Sequence, residues 1–148
     1  GEAKTLMDDY FERFGEVRDY LHQLVADARG TGFTATMLGR RRYLPDLLSD
    51  NRQRREMAER MALNAPIQGS AADIMKVAML RVDEALREDR LASRMLLQVH
   101  DELVIEVAPG ERDQVEELVR REMGAAVALD VPLDVSVGVG RTWHDAAH

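Results

Sequence analysis

Three polar residues, His100, Asp101 and Glu102, sit between two apolar runs, Leu96-Leu97-Gln98-Val99 and Leu103-Val104-Ile105. An apolar run in, a polar bend and an apolar run out is the pattern of a tight β-hairpin. Such a hairpin holds an imidazole and two carboxylates on a stiff support. Carboxylate oxygens suit Mg2+, which usually takes one or two of them together with substrate phosphates. Phosphoryl and nucleotidyl transfer is commonly run by two such ions, one at the attacking and one at the leaving oxygen. Neighbouring strand residues point to opposite faces, so Asp101 and Glu102 do not chelate the same two metals alone. Asp101 needs a carboxylate from another element, and no convincing one stands out. Asp73, on a helix, reads more simply as a residue bonding locally or facing solvent. From local pattern alone, a solvated turn remains an open reading of the hairpin.

Two further groups of side chains bear on what would lie beside that bend. Arg60, Asn64 and Gln68 recur at steps of four and share one helix face if the chain stays helical past Pro66. All three can donate hydrogen bonds to the acceptors of the DNA minor groove, which lie in similar places for every base pair. Three solvated polar residues near a helix end is the other reading. Arg40, Arg41 and Arg42 are consecutive, cannot all be buried, and suit phosphate-backbone contact; a solvated surface or an acidic partner would account for them equally.

Net charge is −7, which taken whole argues against nucleic acid. Its distribution argues otherwise. Residues 31–60 hold seven Arg against four acidic residues, a net of +3, whereas residues 101–148 hold four Arg against eleven acidic residues. Binding follows local potential more than total charge. The 148 residues, 45% hydrophobic and 32% charged, suit one soluble globular unit with a real core. Cysteine is absent, which excludes disulfides, thiolate metal sites and cysteine nucleophiles. No long uncharged apolar run and no secretory signal is present, and the lack of cysteine fits a cytoplasmic protein. There is no phosphate-binding Gly-rich loop or dinucleotide fingerprint. The four histidines, His22, His100, His144 and His148, have no zinc-like spacing. Chain position adds one expectation: the sequence opens inside a helix without Met and reads as a piece of something longer.

The elements that must position these residues follow from periodicity. Residues 2–29 predict one long amphipathic helix, weakened at Gly15 and stopped by Gly30 and Gly32. Residues 33–37 and 40–44 predict two short strands, ended by Pro45-Asp46. Asp50 or Asn51 is placed to cap a helix to about residue 63. Pro66 is expected to break it before a second long helix, 67–89, whose first turns are kept thin by Gly69, Ser70, Ala71 and Ala72. The hairpin follows at 94–99 and 103–107, then a helix over 111–123. Alternation over residues 131–139 predicts a third sheet strand, and residues 140–148 a tail. The expected class is α+β, an antiparallel sheet covered by helices on one face.

Three separated motifs, in order, resemble the C-terminal part of bacterial family A DNA polymerases. They are the stretch from Thr36 to Tyr43, the stretch from Ala58 to Asp73, and Gln98-Val99-His100-Asp101-Glu102. The ending Val137-Gly138-Val139-Gly140, Trp143 and Ala147-His148 is similar to that family's C-terminus. The resemblance covers essentially the whole chain. It implies an antiparallel palm sheet with a catalytic hairpin, residues 1–48 being distal fingers and residues 49–148 the C-terminal part of the palm. It implies that Asp101 is a catalytic metal ligand, that Glu102 is a secondary catalytic carboxylate, and that His100 lies near the primer terminus. It implies that Arg60, Asn64 and Gln68 contact the nascent duplex, partly in the minor groove, and that Arg40, Arg41 and Arg42 belong to an arginine-rich DNA-binding motif. The implied reaction joins a primer 3′-hydroxyl to the α-phosphate of a deoxynucleoside triphosphate with two Mg2+. The implied partners are primer-template DNA, the triphosphates and the N-terminal parts of the polymerase, in a bacterial, nucleoid-associated setting without a membrane.

The family's other catalytic aspartate and its triphosphate-gripping helix would precede Gly1, so the expectation is half a site, inactive alone. The first helix would then expose apolar surface that the fingers cover. The competing reading is a non-catalytic duplex-binding module. A metal-dependent hydrolase built on His100-Asp101 lacks a spaced set of further ligands.

Overall fold

The computed structural model describes residues 2–146. Gly1, Ala147 and His148 lie outside the described residues, and with them the end of the C-terminal motif. The protein is α+β, with its strands in two separate antiparallel pairs. It divides into two compact units, one ending at Ser70 and the other beginning at Ala71.

In the first unit the expected single N-terminal helix is two, α1 (Glu2–Arg13) and α2 (Gly15–Thr31). Phe14 leaves helical geometry at φ −121° and ψ 57°, and its carbonyl restarts the ladder by accepting Val17 N–H at 3.1 Å. Gly15, the poorest non-proline helix former, lets the chain turn there. The apolar stripe of Leu6, Tyr10, Phe14 and Val17 is exposed. Gly32 closes α2 in the left-handed region (φ 81°), donating to Ala28 O at 2.8 Å.

Strands β1 (Phe33–Ala35) and β2 (Arg41–Tyr43) pair with Phe33 opposite Tyr43 and Thr34 opposite Arg42. Gly39 takes φ 84° in the connection, a conformation glycine adopts without strain. A 3-10 turn, Pro45–Leu48, follows. Ala28, Leu44, Leu47, Ala58 and Ala62 form this unit's core.

Helix α3 (Arg52–Glu88) begins at Asn51, whose side-chain oxygen accepts Gln53 N–H at 2.9 Å and Arg54 N–H at 3.2 Å. The expected break at Pro66 does not occur; the helix runs through it. Proline in a helix interior removes one backbone bond and costs about 3 kcal/mol. Burial of Ala58, Ala62 and Pro66 on one face offsets that cost.

In the second unit, β3 (Arg94–Val99) and β4 (Glu102–Glu106) form the expected hairpin, followed by α4 (Arg112–Gly124) and a final turn, α5 (Trp143–Ala146). Val82, Ala85, Leu86, Val115, Leu118 and Val119 form the core, joined by Leu103 and Ile105 from one face of β4. The expected third strand over residues 131–139 is not formed. Its alternation is real, since Leu133, Val135 and Val137 are half-buried between exposed neighbours. A strand also needs a neighbour for its ladder. Here Pro132 lacks a donor, and the Val135 carbonyl accepts the Arg120 guanidinium instead.

Candidate catalytic hairpin and nucleic-acid interface

The β3–β4 bend is as short as a hairpin allows. Val99 pairs with Glu102, so His100 and Asp101 alone form the loop. Two-residue hairpin loops demand positive φ, and His100 supplies it at 54°. A non-glycine residue there is uncommon, although His is among the types that tolerate it. Asp101 stands at the apex, and Glu102 is the first residue of β4, so the strand starts one position earlier than the expected start at residue 103. All three side chains are exposed.

The hairpin is braced at both ends. Far from the bend, Arg94 and Glu106 face each other in register and pair at 2.6 Å. The register shifts between Met95 and Leu97, a bulge that leaves Leu96 50% and Leu97 54% exposed. The apolar run before the bend is therefore not buried as a simple alternation would place it. Beside the bend, Trp143 donates its indole Nε1–H to Glu102 Oε2 at 3.2 Å. In the sequence Trp143 stands out only within the C-terminal stretch that carries the resemblance; its contact partner lies 41 positions away, beyond any local signal.

Asp101 makes no hydrogen bond or ion pair among the described residues. Also among the described residues, no group of three or more His, Asp or Glu could hold a metal ion. Asp73 is buried and engaged, not facing solvent. A free, exposed carboxylate fits what Mg2+ takes from a protein when its other ligands come from phosphates and a second element.

In the first unit, continuity of α3 through Pro66 puts Arg60, Asn64 and Gln68 on one strip of an unbroken helix. Successive members are about 6 Å apart along the axis and turned by about 40°. All three are exposed, and none makes a hydrogen bond among the described residues. The strip is thus a row of solvent-facing side-chain donors without a protein hydrogen-bond partner among the described residues.

The arginine run is differently employed. Arg40 precedes β2, and alternation along the strand sends Arg41 and Arg42 to different neighbours. Arg40 Nη2 donates to Gly69 O at 3.0 Å, Arg41 lies 4.5 Å over the Phe33 ring, and Arg42 Nη2 approaches Met61 Sδ at 3.8 Å. The Phe33 and Tyr43 rings meet across the strands in a tilted pair, 5.6 Å between centroids. The tip of the hairpin is pinned to α3, where Met37 N–H donates to Ser70 Oγ at 2.9 Å. Gly69 permits the approach, since a Cβ there would stand 2.6 Å from Thr36 Cγ2. The arginines remain exposed while their guanidinium groups are held by these neighbours, which suits rigid presentation of positive charge.

Comparison with known proteins bears on both features. The family model for DNA polymerase family A matches residues 1–145. The chain is 69% identical over 147 residues to DNA polymerase I of Mycobacterium tuberculosis (strain H37Rv), covering 99% of this chain and 16% of that protein. It is 51% identical over 144 residues to DNA polymerase I of Caldicellulosiruptor bescii, covering 97% of this chain and 17% of that protein. Among solved structures it is similar to the POL domain of Pol1 from M. smegmatis in complex with DNA primer-template and dNTP. The TM-score is 0.96 at 65% identity, covering 99% of this chain and 26% of that one. The chain thus spans about one sixth of the length of the curated relatives it matches, and it belongs to DNA polymerase family A.

Proposed function

We propose that this chain supplies one side of the polymerase site of a DNA polymerase I that carries out template-directed DNA synthesis, extending a primer 3′-hydroxyl with deoxynucleoside triphosphates. The observation that carries the reading is the unpartnered Asp101 carboxylate at the apex of a two-residue bend, in a chain whose relatives are DNA polymerases. The primer-template and dNTP named for the M. smegmatis structure support the same partners here. Residues 1–48 serve as distal fingers and residues 49–148 as the C-terminal part of the palm.

Asp101 holds Mg2+, with Glu102 as the adjacent secondary carboxylate. Bound there, Mg2+ lowers the barrier by stabilising charge on the phosphoryl oxygens. Arg60, Asn64 and Gln68 test base-pair shape along the minor groove of the nascent duplex without reading sequence. His100, held by its left-handed backbone, stands near the primer terminus. Arg40, Arg41 and Arg42 hold positive potential beside the backbone phosphates. The opposing carboxylate and the triphosphate-gripping helix come from other parts of the polymerase, so residues 1–148 alone do not polymerise. The setting is the bacterial cytoplasm, at the nucleoid; among the described residues no helix is long and apolar enough to cross a membrane.

The test is primer extension with Mg2+ and all four triphosphates. In a full-length polymerase carrying this segment, Asp101→Ala lowers extension by about a thousandfold, the several kcal/mol expected of a lost metal site. Duplex affinity changes little. Intact extension in that variant refutes the catalytic assignment and leaves a duplex-binding module. Template-directed extension by the 148-residue chain alone refutes the half-site reading.

A further inference from the structure

Trp143 is the only tryptophan in the chain, and it reaches the bend through a purpose-shaped approach. Gly138 and Gly140 lie directly beneath the final turn. A Cβ on Gly138 would stand 1.8 Å from the Ala146 carbonyl oxygen, and one on Gly140 would stand 2.6 Å from Asp145 Cβ. Only residues without a side chain let α5 fold back so closely. The turn is fixed by Ala146 N–H on Thr142 O at 3.1 Å and Asp145 N–H on Thr142 Oγ1 at 3.2 Å. Glu102, Val139 and Trp143 then line one open cleft beside β4.

We propose that Trp143 is a positioning residue for Glu102, fixing the orientation of its carboxylate at the bend that carries Asp101. The inference rests on the polymerase reading of that hairpin. A glutamate on an exposed bend loses rotamer freedom when it must act in one geometry. The indole N–H can only donate, so it selects the carboxylate as its partner and forms a charge-assisted bond. It occupies Oε2 and leaves Oε1 unbound among the described residues.

The first test uses a full-length polymerase carrying this segment, in which the Trp143 indole 1H–15N cross-peak is assigned by its loss in Trp143→Phe. Glu102→Ala moves that peak upfield and speeds its exchange with solvent, while the amide peaks of residues 52–70 stay in place. An indole peak that neither moves nor exchanges faster overturns the proposal. The second uses a full-length polymerase carrying this segment. Trp143→Phe keeps the ring and deletes the donor. It lowers kcat about three- to tenfold and raises the Mg2+ concentration for half-maximal rate, as expected when a partner that orients a metal-site carboxylate is lost, while DNA affinity is unchanged. Trp143→His, which retains a ring N–H, recovers part of the loss. A Phe variant with the parent's kcat and Mg2+ dependence, or a His variant no better than Phe, overturns the proposal. Asp101→Ala run alongside separates the two levels. Intact extension there sinks the polymerase reading itself, whereas lost extension with a parent-like Phe variant sinks only the role of Trp143.

Discussion

Replacing Gly69 by Ala sets helix propensity against packing, and the two effects have opposite signs. Gly69 lies inside α3, where Ala in its place favours the helix by about 1 kcal/mol. The added Cβ would lie 2.6 Å from Thr36 Cγ2, a methyl on a stiff β-branched side chain at the hairpin tip. Overpacking of this kind costs about 1–3 kcal/mol. Pushing the tip away also strains Met37 N–H on Ser70 Oγ (2.9 Å) and Arg40 Nη2 on Gly69 O (3.0 Å). Each contributes about 1 kcal/mol, the charged one somewhat more. Packing wins, and Gly69→Ala destabilises by about 2 kcal/mol. Urea unfolding measures it as a lower midpoint at unchanged slope. The cause is isolated by a double-mutant cycle with Thr36→Ser, which deletes the offending methyl and keeps the oxygen that accepts Arg40 N–H at 3.1 Å. In that background Gly69→Ala becomes neutral or stabilising. A stabilising Gly69→Ala in the parent, or an equal loss in both backgrounds, would refute the reasoning.

Two further outcomes follow from single contacts. Glu111 accepts Ser93 Oγ–H at 2.6 Å and the backbone N–H groups of Ala92 and Ser93 at 2.9 Å each, and these bonds hold its carboxyl below the ordinary glutamate range. A depressed folded value adds stability above the unfolded value, and that stability disappears as pH falls through the folded one. The difference in urea midpoint between the parent and Glu111→Gln is therefore largest near neutrality and closes in acid; a gap independent of pH contradicts the assignment. Thr34 is buried with its Oγ1 unpartnered among the described residues, so Thr34→Val, which keeps the β-branched shape, raises stability by about 1 kcal/mol in the same assay. A loss of stability would mean the hydroxyl is satisfied.

Much of the candidate site was legible because its signals are local. The polar bend between apolar runs located the hairpin, and the cap at Asn51 located the start of α3. The step of four linking Arg60, Asn64 and Gln68 needed only an unbroken helix to become one strip. Where expectation and structure part, the deciding term is tertiary. Pro66 normally ends a helix, yet here burial of its face carries α3 through it. The alternation over residues 131–139 reported which side chains face the core and said nothing about a ladder partner. The apolar run before the bend hid a bulge, because one extra residue in a strand leaves the composition of the run unchanged.

The sequence by itself determined the three motifs, their order, the uneven charge and the absence of cysteine, since residue types and spacing are one-dimensional facts. Tertiary structure alone decided which groups are already occupied. Arg40 spends its fork on Gly69 O, Arg41 lies on Phe33, Glu102 is held by Trp143, and Asp101 stays free. The physical reason is range. Propensity and periodicity act over a few residues, whereas a hydrogen bond between positions 102 and 143 exists only after the core has brought β4 and the final turn together.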